Sequence, residues 1–101
     1  MTLQPGDELR LNCSYDSGNP VSWYITDSSG NRNRISTDIG VTYPYQLIYL
    51  IDTTGGSHNL VGFGHSNISA YCGTYECTDN ADKAIIIVSG KLHLLQQEDQ
   101  S

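Results

Sequence analysis

The residues best suited to chemistry in this chain are two cysteines five positions apart, Cys72 and Cys77, and two histidines before them, His58 and His65. Thiolates and imidazoles together are a common ligand set for zinc, which needs its ligands to converge on one point. On a β-strand, however, side chains five positions apart point to opposite faces of the sheet. The spacing therefore argues against a metal site, and the sequence predicts no metal ligand and no cofactor.

Nucleophilic catalysis would need a serine or cysteine beside a histidine and a carboxylate. The chain has three histidines and many hydroxyl residues, but it has no motif that places such groups together, and His93 alternates outward on a predicted strand. The glycines at positions 62 and 64 are not followed by a helix, so they do not form a phosphate-binding loop. The sequence predicts that the chain is not an enzyme.

Two asparagines, Asn12 and Asn67, stand in the sequences Asn-Cys-Ser and Asn-Ile-Ser. This is the acceptor pattern for N-linked glycosylation, which applies to proteins that pass through a secretory pathway. Both are predicted glycosylation sites on that condition.

The length of 101 residues predicts one domain over residues 1–95, followed by a frayed tail over residues 96–101. Five lysines and arginines stand against eleven acidic residues, a net charge of −6 that argues against nucleic-acid binding. No apolar run approaches the roughly 20 residues that a membrane span requires, and the first residues lack the features of a signal peptide. Any leader or anchor would lie outside these residues.

Apolar and polar residues alternate along several segments, as they do in strands with one buried face. The clearest are residues 9–13 and 21–25, and the same reading extends to residues 32–36, 46–51, 58–63, a segment around Tyr75 and Cys77, and residues 84–95. Turn-forming residues separate them at positions 16–20, 27–31, 53–56 and 80–82, and residues 37–45 read as an irregular connection. The pattern predicts an all-β chain.

Three of these residues have a diagnostic spacing. Cys13 follows Leu-Arg-Leu-Asn, Trp23 comes ten positions later, and Cys77 closes the sequence Gly-Thr-Tyr-Glu-Cys, in which the tyrosine is Tyr75. This set resembles the immunoglobulin superfamily over about residues 3–95. The 64 positions between the cysteines leave room for extra edge strands, so the resemblance is closest to variable-type (V-set) domains.

The resemblance implies a two-sheet sandwich with the variable-type Greek key and a disulfide between Cys13 and Cys77. Trp23 would then pack in the core and Tyr75 would anchor a corner of the chain. Two positions depart from the family: Tyr71 replaces the acidic residue usual four places before the corner tyrosine, and Gly90 stands alone where paired glycines are usual. Cys72 is left over, either as a buried thiol, as a partner for a cysteine elsewhere in the parent protein, or as an intermolecular link.

In the family's lettering, strands G, F, C and C′ form one sheet. If Leu92 and Leu94 face the core, alternation turns the isoleucines at positions 85 and 87 outward, beside strands F and C. The predicted partner-binding residues on this face are Tyr24, Arg32, Arg34, Glu76, Thr78, Ile85, Ile87 and Lys91. We expect an apolar centre with a charged rim, as in a modest protein interface. Against this, scattered surface apolar residues are common, and a register slip by one residue would turn the isoleucines inward.

The function that follows is extracellular protein recognition through this GFCC′ sheet, in the ectodomain of a single-pass cell-surface protein. A second copy of the chain is the expected partner, with Arg32 or Arg34 opposite Glu76 across a two-fold axis. Homophilic adhesion or self/non-self recognition, as in a divergent or invertebrate allorecognition receptor, fits this arrangement. The alternatives are heterophilic ligand or antigen binding through loops 16–20 and 78–83, where Asp79, Asn80 and Asp82 favour a basic partner, and a structural spacer domain.

Overall fold

A computed structural model of the chain describes residues 2–3, 7–15, 18–37, 39–63 and 68–90. Within these residues there is no helix long and apolar enough to cross a membrane, and the only helical pieces are three 3₁₀ turns, Tyr45–Leu47, Thr54–Gly56 and Ile68–Tyr71. The described strands are β1 (Thr2–Leu3), β2 (Leu9–Leu11), β3 (Ser22–Thr26), β4 (Arg32–Thr37), β5 (Gly40–Val41), β6 (Tyr49–Asp52), β7 (Asn59–Gly62), β8 (Gly73–Thr78) and β9 (Lys83–Gly90).

The strands form two sheets. The larger has six strands in the order β1-β9-β8-β3-β4-β5, and the smaller has three in the order β2-β7-β6. All pairings are antiparallel except that of β1 with β9, which is parallel. The predicted all-β chain with two sheets is confirmed.

The core lies between the two sheets and follows the alternation of the sequence. In β2, Leu9 and Leu11 are buried while Arg10 is exposed, and in β3 the side chains of Trp23 and Ile25 are buried. Trp23 also donates its indole N–H to the carbonyl of His58, which connects the two sheets. Burying apolar side chains in this way is the main favourable term in folding. The predicted core position of Trp23 is confirmed.

A disulfide between Cys13 and Cys77 joins the segment after β2 to β8 in the opposite sheet. Cys77 is the register partner of Trp23, so the indole and the disulfide share one layer of the core. In the chain-entropy model a cross-link that closes a loop of this length stabilises the fold by about 4 kcal/mol. The disulfide expected from the family resemblance is present.

Tyrosine hydroxyl groups tie one corner of the sandwich together. Tyr75 is fully buried and donates to the carbonyl of Tyr71 at 2.6 Å, while its own oxygen lies 2.6 Å from the hydroxyl of Tyr49. Tyr71 in turn donates to the carbonyl of Phe63 at 2.9 Å. Burial raises the pKa of Tyr49 and of Tyr75, so both phenols remain protonated. The hydroxyl of Tyr71 thus helps to close this corner.

Two predictions for the middle of the chain were wrong. Residues 46–51 were predicted as one strand, but Tyr45–Leu47 is a 3₁₀ turn and the strand is Tyr49–Asp52. The turn forms because the N–H of Leu47 bonds to the carbonyl of Pro44, which turns the backbone away from extended geometry. The segment predicted to be irregular contains β5, which pairs with the end of β4.

Two of the predicted turns are present in the structure. β6 and β7 form a hairpin around the turn Thr54–Gly56, and Asp52 stabilises it by accepting bonds from the N–H and the hydroxyl of Thr54. The turn at positions 80–82 joins β8 to β9, with Asn80 in a left-handed conformation. The predicted tail, Leu92 and Leu94 lie outside the described residues.

Candidate functional site

The outward side chains of β9, β8, β3 and β4 form a regular array, here called the four-strand face. The strand registers place them in two rows that cross the strands. The first row is Ile85, Glu76, Tyr24 and Arg34, and the second is Ile87, Thr74, Thr26 and Arg32. Lys83, two residues before Ile85 on β9, lies beside Thr78 and belongs to the same face. Because neighbouring strands lie about 4.8 Å apart, the β9 column and the β4 column are roughly 14 Å apart.

The β9 column is apolar and open to solvent. Ile85 is 52% exposed and Ile87 is 65% exposed, whereas Val88 between the sheets is buried. Their predicted outward orientation is therefore confirmed, and the register slip that would have turned them inward does not occur. Their role as partner contacts stays a prediction.

The β3 and β4 columns hold a cluster of charged and aromatic groups. The guanidinium of Arg32 lies 3.8 Å from the ring centroid of Tyr24 and donates to a carboxylate oxygen of Glu76 at 3.0 Å. The guanidinium of Arg34 donates from Nε and Nη2 to the hydroxyl of Tyr24, at 3.2 and 2.7 Å. Each of these exposed contacts stabilises the fold by only about 1 kcal/mol or less. Together they favour one position for each of the two arginine side chains.

This arrangement differs from the predicted one in two respects. The isoleucines form one side of the face instead of its centre, because the strand order puts β9 at one end of the four strands. Glu76, expected to meet an arginine of a second copy, is already paired with Arg32 of its own chain. The first difference comes from strand order and the second from cross-strand register, and the sequence pattern of a single strand contains neither.

The four-strand face carries more positive than negative charge. Arg32, Arg34 and Lys83 contribute three exposed cations, and Glu76 contributes one carboxylate. In the part of the chain that the structure describes, Arg34 forms no ion pair. A protein of net charge −6 therefore presents a locally cationic surface. The predicted contact Lys91 lies outside the described residues.

Three residues of this face were not predicted: Thr26, Thr74 and Lys83. The alternation that turned Tyr24 outward also turns Thr26 outward, so this member could have been found from the sequence. Thr78, which was predicted as a contact, has a role in the adjacent turn: its hydroxyl donates to the carbonyl of Asp82 at 2.8 Å and accepts the N–H of Asn80.

In the loop over residues 78–83, the alternative binding site, the side chains of Thr78 and Asp79 bond to the backbone of the loop itself. Asp79 is 1% exposed, and its carboxylate accepts the N–H groups of Ala81 and Asp82 at 3.0 and 2.7 Å. Its charge therefore shapes the turn, while Asn80 and Asp82 stay exposed. In the loop over residues 16–20, positions 18–20 are exposed and the first two lie outside the described residues.

The metal hypothesis can be judged from the cysteines. Cys77 is in the disulfide and offers no thiolate, and burial raises the pKa of the Cys72 thiol, which keeps it protonated. The described residues contain no group of three His, Cys, Asp or Glu side chains able to hold a metal ion. His65 and His93 are outside them.

The structure describes one of the two predicted glycosylation sites. Asn12 is exposed at the end of β2, on the sheet opposite the four-strand face, so a glycan there would leave that face open. Asn67 lies outside the described residues.

Two cavities are lined by residues that the structure describes. One of about 260 Å³ lies between the sheets and is lined by Trp23, Ile51 and His58 among others. The other, of about 420 Å³, adjoins the four-strand face at Ile87 and includes Cys72. Neither brings together the nucleophile, base and carboxylate that covalent catalysis would require.

Comparison with known proteins adds no assignment. No protein-family model and no curated protein matches the chain.

Proposed function

We propose that this chain is a variable-type immunoglobulin domain that recognises another protein through the four-strand face. In the family's lettering, the six-stranded sheet would be A′-G-F-C-C′-C″ and the three-stranded sheet B-E-D. Support comes from the parallel pairing of β1 with β9, the disulfide between the sheets, and the Tyr75 hydroxyl bonded to the backbone of Tyr71. A disulfide of this kind persists in oxidising compartments, which supports an extracellular position in the ectodomain of a single-pass cell-surface protein.

The observation that carries the functional proposal is the pairing of exposed isoleucines with ordered charged groups on one face. Ile85 and Ile87 offer apolar area that a partner can bury, and Tyr24 with its two arginines offers the residue types that dominate binding energy at protein interfaces. Ordering of the arginines before binding reduces the entropy lost in the complex. A spacer domain would need none of these features.

The first proposed partner is a second copy of the chain, in homophilic adhesion or self-recognition. A two-fold axis that crosses the strands midway between the two rows would place Ile85 against Ile87 of the second copy. The same axis places Arg34 of the second copy over Arg32. It would then face the Glu76 carboxylate that Arg32 already contacts. Each Glu76 would then be shared between the two chains.

Sedimentation velocity over a concentration series tests this mode. We expect a reversible dimer of the wild-type domain that the Ile87→Asp substitution abolishes. Leu50→Asp is the matched control, because Leu50 is 43% exposed on the opposite sheet. A dimer that survives Ile87→Asp would place the contact elsewhere, and a strict monomer at all concentrations would reject self-recognition.

A further inference from the structure

The charge of the four-strand face is opposite in sign to that of the protein as a whole. The face carries Arg32, Arg34 and Lys83 against the single carboxylate of Glu76, on a chain of net charge −6. Like charges repel when copies of the same surface approach each other, whereas an acidic surface is attracted. The sign of the charge therefore bears directly on which partner fits best.

Arg34 is the group on this face best prepared for an anionic ligand. Its Nε and Nη2 atoms are anchored on the Tyr24 hydroxyl, which fixes the plane of the guanidinium. A guanidinium has five N–H donors, and those not used by the phenol can bind a carboxylate. Arg32 is instead satisfied by Glu76 and by the ring of Tyr24.

The two ends of the face set a spacing for the ligand. The column of Ile85 and Ile87 lies roughly 14 Å from the column of Arg32 and Arg34, three strand spacings away. An extended peptide rises about 3.4 Å per residue, so positions i and i+4 lie on one side of it and about 14 Å apart. A segment with an apolar side chain at i and a carboxylate at i+4 would meet both columns at once.

Self-pairing matches this pattern less well. With the two-fold axis described above, Arg34 of one copy faces Arg32 of the other, and four arginines share two Glu76 carboxylates. An acidic segment removes that excess positive charge and still covers the isoleucines. We infer that the four-strand face binds an acidic protein segment with this apolar-to-carboxylate spacing, and that such a segment displaces the second copy. The inference rests on the proposed function in using the same face and differs from it in the occupant.

A synthetic peptide tests the inference directly. The probe is the blocked peptide Ile-Ser-Ile-Ser-Glu-Ser-Glu, which presents both isoleucines and both glutamates on one side when extended, and its control replaces both glutamates by glutamine. Titration into the ¹⁵N-labelled domain, followed by amide chemical shifts, should locate binding on β9, β3 and β4. We expect roughly two- to fivefold weaker binding for each carboxylate lost, the range of an exposed ion pair.

Variants of the domain provide the matching controls. Arg34→Gln should weaken binding of the acidic peptide by the same factor, roughly two- to fivefold, and should leave binding of the glutamine peptide unchanged. Arg10→Gln, on the opposite sheet, should change the binding of neither peptide. Raising the salt concentration should weaken peptide binding, because exposed charges are screened. Sedimentation of the same samples should show the dimer fraction falling as the acidic peptide is added.

Several results would overturn the inference. Equal binding of the two peptides would show that charge is not recognised. If a heparin fragment binds more tightly than the peptide, and if Ile85→Ser does not change that binding, the face is a general anion site. A dimer that Ile87→Asp abolishes but that the peptide does not displace would refute the inference and leave self-recognition standing. A peptide that binds a strictly monomeric domain would instead refute self-recognition and support the acidic ligand.

Discussion

The tyrosine corner allows a quantitative prediction about which hydroxyl group matters most. A phenol hydroxyl has one hydrogen to donate, and Tyr75 donates its own to the carbonyl of Tyr71, so Tyr49 must be the donor in the short contact between the two hydroxyl groups. The bonds therefore run in one direction, from Tyr49 to Tyr75 to the backbone. Removing the middle group and removing the first group have different consequences.

Tyr75→Phe removes the bond to the backbone, about 1 kcal/mol, and leaves the buried Tyr49 hydroxyl without its acceptor, about 2 kcal/mol more. We expect it to lower the free energy of unfolding by about 3 kcal/mol. Tyr49→Phe removes one bond while Tyr75 keeps its own acceptor, and we expect a loss of about 1 kcal/mol. The double variant contains no stranded Tyr49 hydroxyl, so its loss should be about 2 kcal/mol, which is less than that of Tyr75→Phe alone.

Urea unfolding followed by Trp23 fluorescence, with the disulfide intact, measures all three values. Tyr43→Phe is the control, because that ring is 78% exposed and should change stability little. The slope of the free energy with urea should be the same for every variant if the folded and unfolded states keep their compactness. Losses that simply add in the double variant, or a larger loss for Tyr49→Phe than for Tyr75→Phe, would refute the proposed direction of the bonds.

Three further predictions concern pH and packing. The two buried phenols of the corner have pKa values raised above the ordinary 10.0, so their contribution to the free energy of unfolding should be constant below pH 10. Above pH 10 it should fall by about 1.4 kcal/mol per pH unit for each phenol, because the unfolded chain ionises first. Unfolding curves of the Cys72→Ser variant measure this without thiol exchange. Hydrogen bonds from Thr54, and then the bond and charge of Arg10, lower the pKa of Asp52 to about 2. Thr54→Val and Arg10→Gln should therefore each raise this carboxyl pKa in an NMR titration, and an unchanged pKa in either variant would contradict the assignment of that cause. Gly62→Ala would place a methyl group 2.7 Å from a ring carbon of Tyr71. We expect this substitution to reduce the free energy of unfolding by about 1 to 3 kcal/mol. An unchanged urea midpoint would show that the ring moves aside freely.

Strand positions with one buried face were the most predictable part of the fold. Leu9, Leu11, Trp23 and Ile25 alternate with polar neighbours, and the structure buries each of them. The apolar run at positions 46–51 has no such alternation, and there the hydrogen bonds of a 3₁₀ turn decided the backbone. Local pattern determines which face a residue takes only where the pattern is periodic.

The candidate site was predictable in its membership more than in its layout. Alternation was enough to turn Ile85, Ile87 and Tyr24 outward. It does not state which residues of two paired strands stand side by side, and that register decides that Arg32 reaches Glu76 of its own chain. The sheet order, which places the isoleucines at one end of the four strands, is likewise a property of the whole fold.

One of the two shortest strands of the larger sheet has a consequence for how the protein must be handled. β1 contributes only Thr2 and Leu3, yet Leu3 is 1% exposed and the strand pairs with the end of β9. β9 contains the sequence Ala-Ile-Ile-Ile-Val, an uncharged and strongly strand-forming stretch of the kind that seeds amyloid when uncovered. β1 pairs with Ser89 and Gly90, directly after this stretch, so trimming the chain at its amino end would leave that end of β9 open to pairing with another chain.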